Sequence, residues 1–151
     1  MTNYNESQII VIEEELPKEE VLQKMAKLLE SKKLVKDTYL NAILEREKTY
    51  PTGIDTEGIN VAIPHCDIAN VNEAALCVGV LKHPVEFAKM DDPDTNIKVS
   101  MVIMMALTEP HGHIEMLQKI IALIQDQDIL SKITMTNDPK IVFDLTKDKL
   151  I

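Results

Sequence analysis

The sequence predicts an α/β fold, a sheet with helices on both of its faces. Short apolar runs of strand length alternate with longer segments whose apolar residues recur every three or four positions. The run Ile97 to Leu107 is apolar almost throughout, as expected of a strand covered on both faces. Hydrophobic residues make up 45% of the 151 residues against 27% charged, a globular balance in a chain of one-domain length. Residues 1–151 are therefore expected to form one domain, since no repeat, low-complexity stretch or linker divides them.

Each element follows from local pattern. Ile9 to Ile12 is a short apolar run suited to a first strand. Pro17 stands where a helix tolerates proline, in the first turn, and Glu19 and Glu20 complement the positive helix end. Val21, Leu22, Met25, Leu28 and Leu29 then follow at helical spacing. Asp37 is the expected N-cap of a second helix with Tyr39, Leu40, Ile43 and Leu44 on its apolar face, and Pro51 lies beyond its end. A polar turn carrying Gly53 and Gly58 leads into three strands, Ile59 to Ile63, Ala74 to Leu81 and Ile97 to Leu107. His83, before Pro84, reads as a loop residue without a role. Ile114, Leu117, Ile120, Ile121 and Ile124 mark a long helix, and Asp138-Pro139 opens a terminal one bearing Ile141, Val142 and Leu145.

Composition narrows the function. Aromatics are 3% with no Trp, and the formal charge is −9. Nucleic-acid binding is not expected, because it needs stacking platforms and a basic face. Two cysteines, Cys66 and Cys77, form no disulfide or zinc pattern. No apolar run approaches membrane-spanning length and no basic stretch leads into an apolar leader, so a reducing cytoplasm is the expected location.

The residues with most to say about chemistry lie between Tyr50 and Asp67. The strand from Ile59 ends at Pro64, which has no N–H for a sheet ladder and delivers His65 to the strand tip. Sheet ends are where α/β proteins place reacting groups, though a histidine that merely sits at a strand terminus fits the same pattern. A Cys66/His65 dyad is disfavoured if the strand continues, since adjacent side chains then face opposite ways. Cys77 reads as a buried small hydrophobe. His111 and His113 lack a third ligand at convincing spacing, so no metal site is expected.

Leu44-Glu45-Arg46-Glu47, then Pro51-Thr52-Gly53-Ile54, then Val61-Ala62-Ile63-Pro64-His65 together resemble the signature of the mannitol/fructose class of enzyme IIA. These are the type-2 EIIA phosphocarriers of the bacterial PEP-dependent sugar phosphotransferase system (PTS). The resemblance extends loosely over nearly the whole chain and implies a three-layer α/β/α sandwich with a central mixed sheet. It makes His65 the phosphorylated residue and His113, at the start of a helix, a second active-site histidine. It raises Arg46 to a phosphate ligand, with Thr52 and Gly53 shaping the pocket through backbone N–H groups. His111 has no counterpart.

The implied chain of transfer runs from HPr to His65 and on to a cysteine of a IIB protein or domain. It reaches the membrane component IIC only indirectly and needs no cofactor. Pro64-His65-Cys66 with Asp67 looks most similar to galactitol-type members. A regulatory, nitrogen-related IIA and a non-catalytic interaction module are the alternatives.

Overall fold

The computed structural model of the chain describes residues 2–151, apart from the side chains of residues 111 and 112. Its centre is a mixed five-stranded sheet of order β1-β4-β5-β3-β2. The strands are β1 (Ile9–Ile12), β2 (Gly53–Ile54), β3 (Asn60–Ala62), β4 (Ala75–Ala88) and β5 (Asn96–Ala106). β1 runs parallel to β4 and β3 parallel to β5, while the β4/β5 and β2/β3 pairs are antiparallel. Helices α1 (Lys18–Ser31) and α2 (Tyr39–Thr49) cover one face; α3 (Pro110–Gln125), α4 (Gln127–Met135) and α5 (Pro139–Leu150) cover the other. The fold is the expected three-layer α/β/α sandwich.

Alternation along the strands divides the core in two. Cys77, Leu81 and Phe87 of β4, with Val102, Met104 and Ala106 of β5, join the α1 and α2 side. Their neighbours Leu76, Val78, Val80, Met101, Ile103 and Met105 join the α3, α4 and α5 side. This is the period of two that a pleated strand imposes, with both faces buried. It explains why β5 reads as apolar almost throughout, and without a break from Met101 on.

Four expectations change. Asp37 does not cap α2: Thr38 stands at the N-cap in helical conformation, and its hydroxyl donates to Asn70 Oδ1 at 2.7 Å instead of serving the helix. β4 does not stop at Leu81 but continues through His83 and Pro84 to Ala88. The ladder shifts register between Val80 and Val85, so the missing proline N–H costs no sheet bond. Lys82, within that irregularity, donates to Thr134 O at 2.8 Å and Thr136 O at 2.7 Å, satisfying carbonyls at the end of α4. The expected polar turn contains β2, and α4 is an additional helix whose N-cap Asp126 accepts from Ile129 N. The terminal helix begins as expected, with Asp138 accepting from Lys140 N and Pro139 in the first turn. No described helix is long and apolar enough to cross a membrane.

Candidate functional site

The carboxyl ends of β3 and β5 lie side by side, and the candidate site forms just beyond them. β3 ends at Ala62, and the next two residues are pinned through their backbones. Ile63 N donates to Thr52 O at 3.2 Å, and Met105 N of β5 donates to Pro64 O at 2.9 Å. His65 follows with its Nδ1 2.9 Å from Ile63 O. A carbonyl oxygen only accepts, so Nδ1 carries the proton and the lone pair belongs to Nε2 on the opposite edge of the ring.

His113 and Arg46 meet His65 from two other elements. The His65 and His113 ring centroids are 4.6 Å apart in an edge-on arrangement. His113 lies in the first turn of α3, whose N-cap Glu109 makes no side-chain capping bond, and a helix N-terminus is a place that suits an anion. Arg46, in the last turn of α2, lays its guanidinium 5.2 Å from the centre of the Tyr50 ring. Among the described residues no carboxylate lies within ion-pair distance of Arg46, and its buried Nε has no hydrogen-bond partner. Arg46, His65, Cys66, Asp67, Ile68 and His113 line one open depression.

Burial and neighbouring groups shift both rings toward the neutral form. Burial lowers the His65 pKa below the ordinary 6.5; its bond to Ile63 opposes that, and His113 and Arg46 add to the lowering. His113 is lowered too, by partial burial first and then by Arg46. The arrangement is an imidazole whose lone pair is left on Nε2, a guanidinium without an ion-pair partner among the described residues, and a second imidazole beside them. That combination suits capture of a tetrahedral dianion.

Thr52 does not offer the free N–H expected of it. Thr52 is 2% exposed, and its N–H and hydroxyl both go to the Glu47 carboxylate at 2.8 Å. Neither bond is free for an anion. Gly53 belongs to β2, where a Cβ would stand 2.6 Å from Ala88 O, so close backbone packing fixes its identity.

Cys66 is not turned away from His65, because the strand ends before either residue and both line the same depression. The thiol is instead quenched: burial, then Asp67, push its pKa up to about 11. Cys77 is fully buried and pushed by burial to about 12. The side chain of His111 lies outside the described residues. Among those described, no group of three or more His, Cys, Asp or Glu could hold a metal ion.

Glu47, which the sequence does not single out beyond its place in the Leu44–Glu47 motif, is a buried charged residue beside the site. It is 4% exposed, and burial raises its pKa against the opposing bonds from Thr52 and the charge of Lys18. A signal was present: Tyr39, Ile43 and Glu47 recur every four residues, which puts the carboxylate on the buried stripe of α2.

Comparison with known proteins gives the family and the fold. The family model for the phosphoenolpyruvate-dependent sugar phosphotransferase system, EIIA 2, matches residues 3–149. The chain belongs to that family of phosphotransfer carriers, as the resemblance implied. The galactitol-specific EIIA component of the PTS of Escherichia coli K12 is 32% identical over 111 residues, 74% of this chain and 73% of that protein. A nitrogen regulatory protein of Pseudomonas aeruginosa is 26% identical over 133 residues, 87% of this chain and 83% of that protein. The solved complex of enzyme IIAMTL and phosphorylated enzyme IIBMTL from Escherichia coli is similar in fold, with a TM-score of 0.77. Its identity is 20%, and the match covers 97% of this chain and 99% of that one.

Proposed function

We propose that the chain acts as one cytoplasmic IIA unit, residues 1–151, that takes a phosphoryl group from phospho-HPr on His65 Nε2 and hands it to a cysteine of a cognate IIB. The observation that carries this is the Nδ1 contact with Ile63 O, which fixes the tautomer and reserves the Nε2 lone pair beside Arg46 and His113. In the loading step that lone pair forms a bond to phosphorus, and the donor's bond to phosphorus breaks with its electron pair returning to the donor. Nδ1 keeps its proton throughout, and the carbonyl of Ile63 stabilises the positive charge that the ring gains as the N–P bond forms. Arg46 binds the equatorial oxygens through its planar fork, and its unmet Nε–H finds an acceptor. His113 donates an N–H to another oxygen. In the delivery step a IIB thiolate attacks phosphorus, and the N–P bond breaks with its pair returning to Nε2. A phosphoramidate suits this relay because it stays reactive, as a phosphoserine would not.

On the substrate side, the reading follows the galactitol-specific relative, 32% identical to this chain. The Escherichia coli galactitol component makes uptake of galactitol or a similar sugar alcohol the favoured role, with IIC engaged only through IIB. A second reading, regulation by the phosphorylated state, is favoured by the likeness to the nitrogen regulatory protein of Pseudomonas aeruginosa. Incubating the phosphorylated protein with galactitol-type IIB separates the two. Rapid transfer supports transport, whereas a stable phosphoprotein that IIB does not discharge favours regulation.

A further inference from the structure

The buried carboxylate of α2 lies outside the depression yet connects to His65 through an unbroken series of contacts. Glu47 accepts both Thr52 N and Thr52 Oγ1 at 2.8 Å. Thr52 O accepts Ile63 N at 3.2 Å, and Ile63 O receives His65 Nδ1 at 2.9 Å. The pairing of Gly53 with Ala62 in the β2/β3 ladder keeps the Thr52 and Ile63 peptides opposite each other. Glu47 also follows Arg46 directly at the end of α2. The helix that supplies the guanidinium is thereby tied to the segment that supplies the imidazole.

We propose that Glu47 is a positioning residue for His65: through Thr52 and Ile63 it sets the orientation of the carbonyl that selects the Nδ1–H tautomer, and it fixes the separation between Arg46 and the accepting nitrogen. Other residues hold the core of this region. Tyr39, on the same helix, donates to Met105 O at 2.7 Å, and Met105 N holds Pro64 O, so the neighbouring peptide has its own brace. Glu47 is distinct in that both of its acceptors serve the single residue facing Ile63. A carboxylate buried only to stabilise the helix end would have no reason to do so. Removing both acceptors leaves a buried N–H and hydroxyl unmet, and Thr52 must move to find water. The peptide that orients His65 then loses its fixed partner. The inference rests on the phosphocarrier reading for its consequence, but the ring tautomer can be measured without any phosphoryl donor.

The test compares Glu47→Leu, Glu47→Gln and Thr52→Val with wild type. Each folded variant is examined by ¹⁵N NMR of the imidazole nitrogens and by single-turnover labelling from phospho-HPr. Wild type should show the His65 proton on Nδ1. Glu47→Leu should show both tautomers and label about 10-fold to 10²-fold more slowly, the scale of a small misplacement of reacting groups. Glu47→Gln should recover the wild-type tautomer and stay within about threefold in rate, since the amide accepts from Thr52 N and donates to Thr52 Oγ1. Thr52→Val, which keeps the N–H bond, should fall between the two and serves if Glu47→Leu does not fold. A His65 ring still protonated wholly on Nδ1 in Glu47→Leu, or in Thr52→Val where that is the variant in hand, overturns the proposal whatever the rate. Wild type that fails to label would instead remove the phosphocarrier reading and leave the tautomer result standing.

Discussion

At the scale of single residues, the proposed transfer uses one nucleophilic nitrogen, on His65, and two groups, Arg46 and His113, that would stabilise the phosphoryl charge. Arg46→Ala and His113→Ala should each slow loading of His65 by about 10²–10³-fold without abolishing it, the size expected for losing one preorganised charge or donor. Rapid-quench labelling measures both. Arg46→Lys should recover only part, because an ammonium cannot reproduce the planar fork. Because burial depresses the His65 pKa, its neutral form persists below the ordinary value of 6.5. The loading rate should therefore be level above about pH 6.5 and decline only below it, provided the donor's own titration is measured separately. Stability has the same sign: a depressed histidine contributes fully above 6.5, and that contribution is lost as pH falls through the folded value. Cys66→Ser should load and unload normally, since a thiol pushed to about 11 supplies no thiolate near neutrality. Loading that proceeds without delivery to IIB would show that Cys66 takes part. Local pattern put His65 at a strand tip, whereas Arg46 and His113 stood out only through the family resemblance; the structure brings all three to one depression. The partner of Thr52 was not legible, since a free amide and one spent on a buried carboxylate look alike in sequence.

At the scale of elements, α2 braces the site at two points, through Tyr39 to Met105 O and through Glu47 to Thr52. Tyr39→Phe leaves a buried carbonyl without its donor and should cost about 1–3 kcal/mol, read from chemical denaturation with an unchanged slope. Gly53→Ala would put a methyl 2.6 Å from Ala88 O, so β2 must shift from its neighbour. Loss of stability is expected there, together with slower loading, because β2 pairs with the strand that leads to His65. The long elements were readable from periodicity: α1, α3, α5 and β5 fall where their apolar spacing put them. The short or irregular ones were not. β2 is two residues long, too short for any alternation, and β4 passes through Pro84 by shifting its ladder, so a residue that signals a break stands inside a strand. α4 follows α3 across the single residue Asp126, and its apolar positions merge with those of the longer helix.

At the scale of the whole molecule, the sandwich brings three distant parts of the sequence to one sheet end. α2 supplies Arg46, the segment after β3 supplies His65, and the first turn of α3 supplies His113. β3 and β5 are parallel neighbours, so their carboxyl ends share one edge, where α/β folds commonly place ligands. Both faces of β4 and β5 are packed, and Arg46, His65 and His113 meet at the mouth beyond them. The overall layering could be foreseen from alternation of strand and helix patterns, whereas strand order could not, because non-local pairing leaves no mark on local periodicity. The central claim is that His65 alone carries the phosphoryl group, and the most direct test is labelling of wild type and His65→Ala from PEP, enzyme I and HPr, followed by mapping of the modified residue. The account predicts one acid-labile, alkali-stable phosphate on His65 Nε2 in wild type and none in a folded His65→Ala. Labelling that survives in His65→Ala, or that maps to another residue of wild type, would contradict it.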